Sequence, residues 1–237
     1  MTTLEVGDTA EGALLSYLSA ADRAYLLGLG VRRSFGAKEF VLLQGDPSDH
    51  VHILISGWVR VSAVVEDGRE LLLALRGPGD VLGDMAAVSG INRTASVRSL
   101  EAVTVVQLSG AQFLGCLRAR PEIAIAMIKS VVMRLRDAET ARADAAMLGV
   151  AQRVAVQLVR LAAEHGRPVE DGVMIDIPLS QQDIADQIGA ALRTVARGFA
   201  VLRARGIVDT GRRRIVVRRL NVLRALAGSM PNGTERP

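Results

Sequence analysis

Arg193 and Arg197 lie four residues apart in a stretch whose large apolar residues, Val195, Phe199 and Leu202, recur at helical spacing. A helix over 191–205 would bury those three and leave Arg193, Thr194, Arg197 and Gly198 near the opposite side of its N-terminal half. A guanidinium can donate two hydrogen bonds to guanine O6 and N7. An α-helix fits the major groove, with its N-terminal residues nearest the base edges. The chemistry these residues suit is therefore the recognition of base pairs.

The neighbouring segments have the parts needed to present such a helix. Ser180 and Asp183 have the spacing of a capping box, with Asp in place of the usual Glu. Ile184, Ala185 and Ile188 give this first helix a buried face, and Gly189 stands where two helices must meet in a tight turn. Ser180, Gln181 and Gln182 lie at its N-terminus, where free N–H groups and the helix dipole favour a phosphate. Downstream, two short strands are expected around a turn at Asp209-Thr-Gly211, with Arg212, Arg213 and Arg214 beside it. Such arginines lie along a phosphate backbone, position the protein and make binding salt-dependent. In this order the parts predict a winged helix-turn-helix, with double-stranded DNA as partner.

Charge and composition fit a two-part chain. The 237 residues suit two domains of ordinary size, and a hydrophobic share of 49% with only 3% aromatics implies aliphatic cores. From Gly149 onward there are 14 Arg and 8 acids, a balance of +6; before it, 15 basic and 17 acidic residues give −2. A basic domain joined to a nearly neutral one is the electrostatic footprint of a nucleic-acid binder. No apolar run is long enough to span a bilayer, and the polar start, with Glu5 and Asp8, lacks the pattern of a signal peptide. A cytoplasmic protein with no membrane partner is expected. The single cysteine, Cys116, allows no intramolecular disulfide and reads as a small buried hydrophobe on a helix. Walker, His-Glu-x-x-His and Gly-x-Ser-x-Gly patterns are absent, so no enzyme is expected.

Three segments are expected. Residues 1–120 form a sensor domain: after a helical lead-in over 11–30 with Ser19 as a candidate N-cap, apolar runs at 39–43, 51–55, 58–65, 70–75, 94–99 and 103–108 alternate with Gly, Pro, Asp and Asn. That spacing suggests an antiparallel sandwich or barrel, and Glu66-Asp67-Gly68 is a hairpin signal. Residues 121–148 form a long helix opened by Pro121, with an apolar stripe through Ile123, Met127, Ile128, Val131, Val132, Leu135, Ala138, Ala141 and Ala145. That stripe suits a homodimer seam; the alternative is packing on its own sandwich alone. Residues 149–237 form the DNA-binding domain, with Gly149 a candidate hinge, a helix over 150–164 and a strand over 173–177.

From about Leu18 to Leu226 the chain resembles the CRP/FNR family of bacterial regulators. Asp49-His-Val-His-Ile-Leu-Ile-Ser-Gly-Trp-Val-Arg-Val61 is similar to that family's D-x-x-Y-x-I-x-x-G-x-V-x-V strand pair, and Gly79-Asp-Val-Leu-Gly-Asp84 to its PGDxxGE stretch. The resemblance implies an α+β architecture: an N-terminal antiparallel β jelly roll of the cyclic-nucleotide-binding type, a central dimerisation helix and a C-terminal winged helix-turn-helix. It also implies a homodimer on a pseudo-palindromic site, and it adds RNA polymerase to the candidate partners. Recognition helices of the best-known type read SRETVxR. Here Leu192 replaces the first Arg, Arg193 replaces the Glu, and only Arg197 matches, so a different half-site is expected.

The resemblance also supplies a ligand cassette. Gly83, Asp84 and Met85 begin it, and Arg93 and Thr94 close it. Arg93 and the Thr94 hydroxyl would meet a cyclic phosphate, and Asp84 stands where the family's Glu meets a ribose hydroxyl. Ala138-Glu139 occupies the position of the Thr-Ser pair that cyclic-AMP-responsive members offer to adenine. Three possibilities stay open: a cyclic nucleotide, cyclic AMP or cyclic GMP; a different small ligand; or a constitutive regulator whose sandwich is only a dimerisation scaffold, with Arg93 paired to an internal acid. A regulatory module of a larger signalling complex would need no basic winged segment. An iron–sulfur cluster lacks its thiols, and no haem is expected. His50 and His52, two apart on an expected strand, read as ordinary strand histidines without a third metal ligand.

Overall fold

A computed structural model describes residues 9, 12–66, 68, 70–211 and 214–228. Two compact units are present, Met1–Glu139 and Thr140–Pro237. No helix among the described residues is long and apolar enough to cross a membrane.

The first unit opens with a 3-10 turn, Leu14–Tyr17, and helix α1 (Ala20–Gly28), whose N-cap Ser19 accepts the Asp22 N–H as the sequence suggests. Eight strands follow: β1 (Val31–Phe35), β2 (Phe40–Leu42), β3 (Val51–Ser56), β4 (Val59–Val64), β5 (Glu70–Arg76), β6 (Val81–Leu82), β7 (Ser96–Ser99) and β8 (Val103–Leu108). Helix α2 (Asp84–Ser89) interrupts them, and α3 (Gly110–Ala119) and α4 (Pro121–Met147) close the series. The strands pair antiparallel in two sheets, ordered β1-β8-β3-β6 and β2-β7-β4-β5. This interleaving of eight strands over two sheets is a jelly roll. At the β4–β5 hairpin Gly68 takes a positive φ of 81° and donates to the Val65 carbonyl at 2.8 Å; Asp67 lies outside the described residues.

Strand β3 explains the continuous apolar run at its centre. Leu54 packs between the sheets with Val41, Val59, Val97 and Val105. Val51, Ile53 and Ile55 point the other way, into a second core with Leu14, Leu26, Phe113, Ile123 and Met127 from the helices. Strand β1 was not expected from the sequence. It is a sheet edge, exposed along nearly its whole length, so Val31-Arg-Arg-Ser-Phe35 carries no alternation of apolar and polar residues.

Helix α4 has two apolar faces. Ile123, Ala126, Met127 and Ser130 are buried against its own sandwich, while Ile125, Ile128, Val131, Val132 and Leu135 are exposed, Ile128 by 63%. The stripe read from the sequence therefore divides: Ile123 and Met127 serve the core, and Ile128, Val131, Val132 and Leu135 remain open.

The second unit contains α5 (Val150–His165), β9 (Gly166–Val169), β10 (Gly172–Ile175), α6 (Gln181–Gln187), α7 (Leu192–Ala204), β11 (Val208–Gly211), β12 (Arg214–Val217) and α8 (Leu220–Ala227). Its antiparallel sheet is ordered β11-β12-β10-β9. The expected hairpin is present, but Asp209, Thr210 and Gly211 belong to β11 and not to a turn, and Gly211 pairs with Arg214. Arg212 and Arg213, expected beside that turn, lie outside the described residues. Extended pairing carries the ladder past a Gly that read as a turn residue.

Candidate nucleic-acid interface and sensor cassette

Helices α6 and α7 share one small core. Ile184 and Ala185 of α6 are fully buried, as are Val195 and Phe199 of α7, with Leu202 at 6% exposure. The capping box forms: the Ser180 hydroxyl accepts the Asp183 N–H at 3.2 Å, and the Asp183 carboxylate accepts the Ser180 N–H at 2.9 Å. Gly189 joins the helices with φ +62°, a left-handed conformation that other residues adopt only with strain. Arg153 of α5 donates to the Ile188 carbonyl at 2.8 Å and satisfies the end of α6.

With its apolar face committed, α7 leaves Arg193, Thr194 and Arg197 exposed, and neither arginine has a hydrogen-bond or ion-pair partner among the described residues. Arg214 is exposed on β12. Ser180, Gln181 and Arg214 line one solvent-open groove with Phe199 and Thr210, so the start of α6 and the hairpin converge. Gln182 is exposed and donates to Asp186 at 2.5 Å. Two further arginines, not singled out in the sequence, are structural. Arg203 donates to the Thr210 hydroxyl at 2.9 Å, tying α7 to the hairpin. Arg218 is neutralised by Asp209 and Asp171, each at 2.7 Å.

In the first unit, Arg93 is buried, at 4% exposure. Its guanidinium donates to the Gly83 carbonyl at 2.7 Å, to the Ser48 hydroxyl at 3.3 Å and, by a short bond, to the His50 carbonyl. Its backbone is fixed as well, through Asp46 and Gly45. All three side-chain acceptors are neutral, and among the described residues no acid accepts a hydrogen bond from the guanidinium. Burial pulls the Arg93 pKa down, and the charges of Asp46, Asp49 and Asp84 oppose this. Gly83 has φ +80°, and a Cβ there would run into the Arg93 guanidinium. Thr94 and Met85 are exposed beside it.

Asp84 is buried, and both of its carboxylate oxygens accept from Arg134 of α4, at 2.7 and 3.4 Å. Arg134 could not be anticipated: it stands one helical turn beyond the buried Ser130 with no motif around it. A guanidinium has five N–H groups, and three of those on Arg93 are in use. A buried cation with only neutral partners fits one anionic group such as a phosphate. The Asp84 carboxylate is engaged by Arg134 at both oxygens, one contact each, and keeps lone pairs for a further donor. The His50 and His52 rings meet edge to face at 4.9 Å. No group of three metal-ligating side chains occurs among the described residues.

Residues 32–120 match the cyclic nucleotide-binding domain family, and residues 152–226 the Crp-like helix-turn-helix domain family. The chain is 32% identical over 166 residues to the CRP-like cAMP-activated global transcriptional regulator of Mycobacterium tuberculosis, covering 70% of this chain and 74% of the relative. It is 30% identical over 190 residues to the global nitrogen regulator of a Nostoc species, covering 79% and 85%. Among solved structures, FixK2 from Bradyrhizobium japonicum superimposes with a TM-score of 0.74 at 25% identity, over 84% of this chain and 98% of that one. A CooA variant from Carboxydothermus hydrogenoformans shares the fold, with a TM-score of 0.75 at 21% identity, over 94% and 98%. With both of its domains matched and relatives of 30% identity or more over at least 70% of its length, the chain belongs to the CRP/FNR family of DNA-binding transcription regulators.

Proposed function

We propose that this regulator acts in the cytoplasm as a homodimer on a pseudo-palindromic duplex, with DNA binding gated by a small anionic ligand at Arg93. The observation that carries the DNA-binding assignment is α7: Val195, Phe199 and Leu202 anchor it, while Arg193, Thr194 and Arg197 face solvent and no partner among the described residues takes up the arginines. Ser180, Gln181, Gln182, Arg212, Arg213 and Arg214 are assigned to the phosphate backbone on either side of it. The exposed face of α4, with Ile125, Ile128, Val132 and Leu135, supports a second copy as partner, because an apolar stripe left in water marks an interaction site. Two copies would place half-sites about 34–36 Å apart along the duplex.

The ligand assignment rests on the enclosed Arg93 cation, with Gly83, Asp84, Met85 and Thr94 around it. Cyclic AMP and cyclic GMP are the first probes, because the relative from Mycobacterium tuberculosis is named as cAMP-activated. The pairing of Asp84 with Arg134 favours an alternative: a constitutive regulator in which the jelly roll is a scaffold. Selection of DNA sites in vitro, with and without each nucleotide, tests both. Enrichment of a palindrome only with nucleotide, together with binding heat that vanishes in Arg93→Ala, supports gating. The same palindrome without nucleotide supports the alternative. No enriched site under either condition overturns both.

A further inference from the structure

We propose that Leu192 is a sequence-reading residue, its isobutyl group meeting the 5-methyl of a thymine in the major groove. This rests on the assignment of α7 as the groove-entering helix and adds to it a residue that reads by apolar contact.

Leu192 is the first residue of α7, and its N-cap, Ala191, contributes no side-chain cap. It begins the same apolar row as Val195, Phe199 and Leu202, at the helical spacing that should bury it with them. The three successors are 0%, 0% and 6% exposed, whereas Leu192 is 43% exposed. The row therefore outruns its own core by one residue, at the end of the helix that enters deepest into a groove. The exposed Ala191, Arg193 and Thr194 surround it, so the surface there combines a cation that suits guanine with a patch that suits no polar base edge.

The major groove offers such a patch one partner. Each base pair presents hydrogen-bonding atoms there, and thymine alone adds a methyl group. A leucine pressed on a cytosine amino group or a purine acceptor would desolvate that atom without replacing its hydrogen bond, which disfavours those bases. Against a thymine methyl the same side chain buries apolar surface on both partners. Leu192 and Arg193 are adjacent on the helix, so the predicted pattern places a thymine next to the base pair that Arg193 contacts. Val201, also on α7 and 47% exposed, serves as a comparison. It lies nine residues further along, about 13.5 Å up the axis and away from the inserted end.

The test uses the full chain and a site selected in vitro. Each thymine is replaced in turn by deoxyuridine, which keeps every hydrogen-bonding atom and loses only the methyl. Binding is measured at fixed salt for the native chain, Leu192→Ala and Val201→Ala. At one symmetry-related thymine the native chain should lose about fourfold in affinity per half-site, the worth of one buried methyl-sized group. Leu192→Ala should bind the thymine site more weakly and be indifferent to uracil at that position, while Val201→Ala keeps the native response. The inference is overturned if no uracil substitution weakens the native chain, or if the loss survives unchanged in Leu192→Ala. The native chain carries the first criterion alone, so a variant that failed to fold would not rescue the idea. Native protein that bound no duplex would overturn the regulator assignment as well, which distinguishes the two failures.

Discussion

The bridge between Asp84 and Arg134 lends itself to a quantitative test. Its side chains are 8% and 20% exposed, and its two contacts are 2.7 and 3.4 Å. Breaking a buried pair by removing one partner costs about 3–5 kcal/mol, whereas exposed pairs are worth about 0–1 kcal/mol. Arg134, with a fifth of its side chain in water, can partly rehydrate, so Asp84→Asn should cost about 2 kcal/mol. Asp84 is the more enclosed partner, and Arg134→Met strands it, so that variant should cost about 3 kcal/mol. The double variant removes both charges and should cost less than the sum, leaving a coupling of about 1.5–3 kcal/mol. Urea unfolding followed by the fluorescence of Trp58, the single tryptophan and a residue of the sensor unit, gives all four stabilities. A coupling below about 0.5 kcal/mol would show that the carboxylate and guanidinium contribute independently and would refute the bridge as a tie between α2 and α4.

Other outcomes follow from single residues. Burial holds the His52 pKa at about 4 rather than 6.5, so the unfolded chain takes up a proton first as pH falls. The stability this confers is intact above the unfolded value and is lost as pH drops from 6.5 toward 4, by about 2–3 kcal/mol at pH 4.5. Urea midpoints at pH 7 and 4.5 should show this loss in the native chain and a smaller one in His52→Gln; equal losses would clear His52. His165, also held at about 4 by burial, should produce a matching loss in the second unit. Phe199→Ala empties a fully buried site and should cost about 3–5 kcal/mol, abolishing DNA binding through unfolding that circular dichroism would detect. Arg197→Ala should leave the melt unchanged, weaken specific DNA binding by about 1–3 kcal/mol and relax preference at one base pair; a uniform loss across sequences would make it a phosphate contact instead. Gly83→Ala places a side chain at φ +80° against the Arg93 guanidinium, and should destabilise the sensor unit by about 1–3 kcal/mol from backbone strain alone, seen in Trp58 melts.

Features encoded locally could be read from the sequence. The capping box at Ser180, the positive-φ glycine at Gly189 and the spacing of Val195, Phe199 and Leu202 each depend on a few neighbouring residues, and each is present. The strand runs were legible because turn residues punctuate them. What escaped depends on distant partners. Strand β1 is polar because it is an edge, and its place is set by pairing with β8, more than sixty residues on. Arg134 has meaning only because Asp84, fifty residues earlier, is folded beneath it. Arg93 drew attention as an anion anchor, but nothing local told that its guanidinium would rest on the backbone carbonyls of Gly83 and His50. Leu192 read as a departure from a family pattern, and only its exposure in the fold gave it a role.

Because β3 has no solvent side, the sandwich lacks an inexpensive way to come apart in stages. Peeling off the lead-in and helical layer would uncover Val51, Ile53 and Ile55, and peeling the opposite sheet would uncover Leu54 on the same strand. Either opening strips the strand that holds the other layer in place, so the two layers should melt in one cooperative step, and amide exchange should be slowest along 51–55. A jelly roll built this way transmits a disturbance at Arg93 as a shift of whole elements, with little of it lost to local fraying.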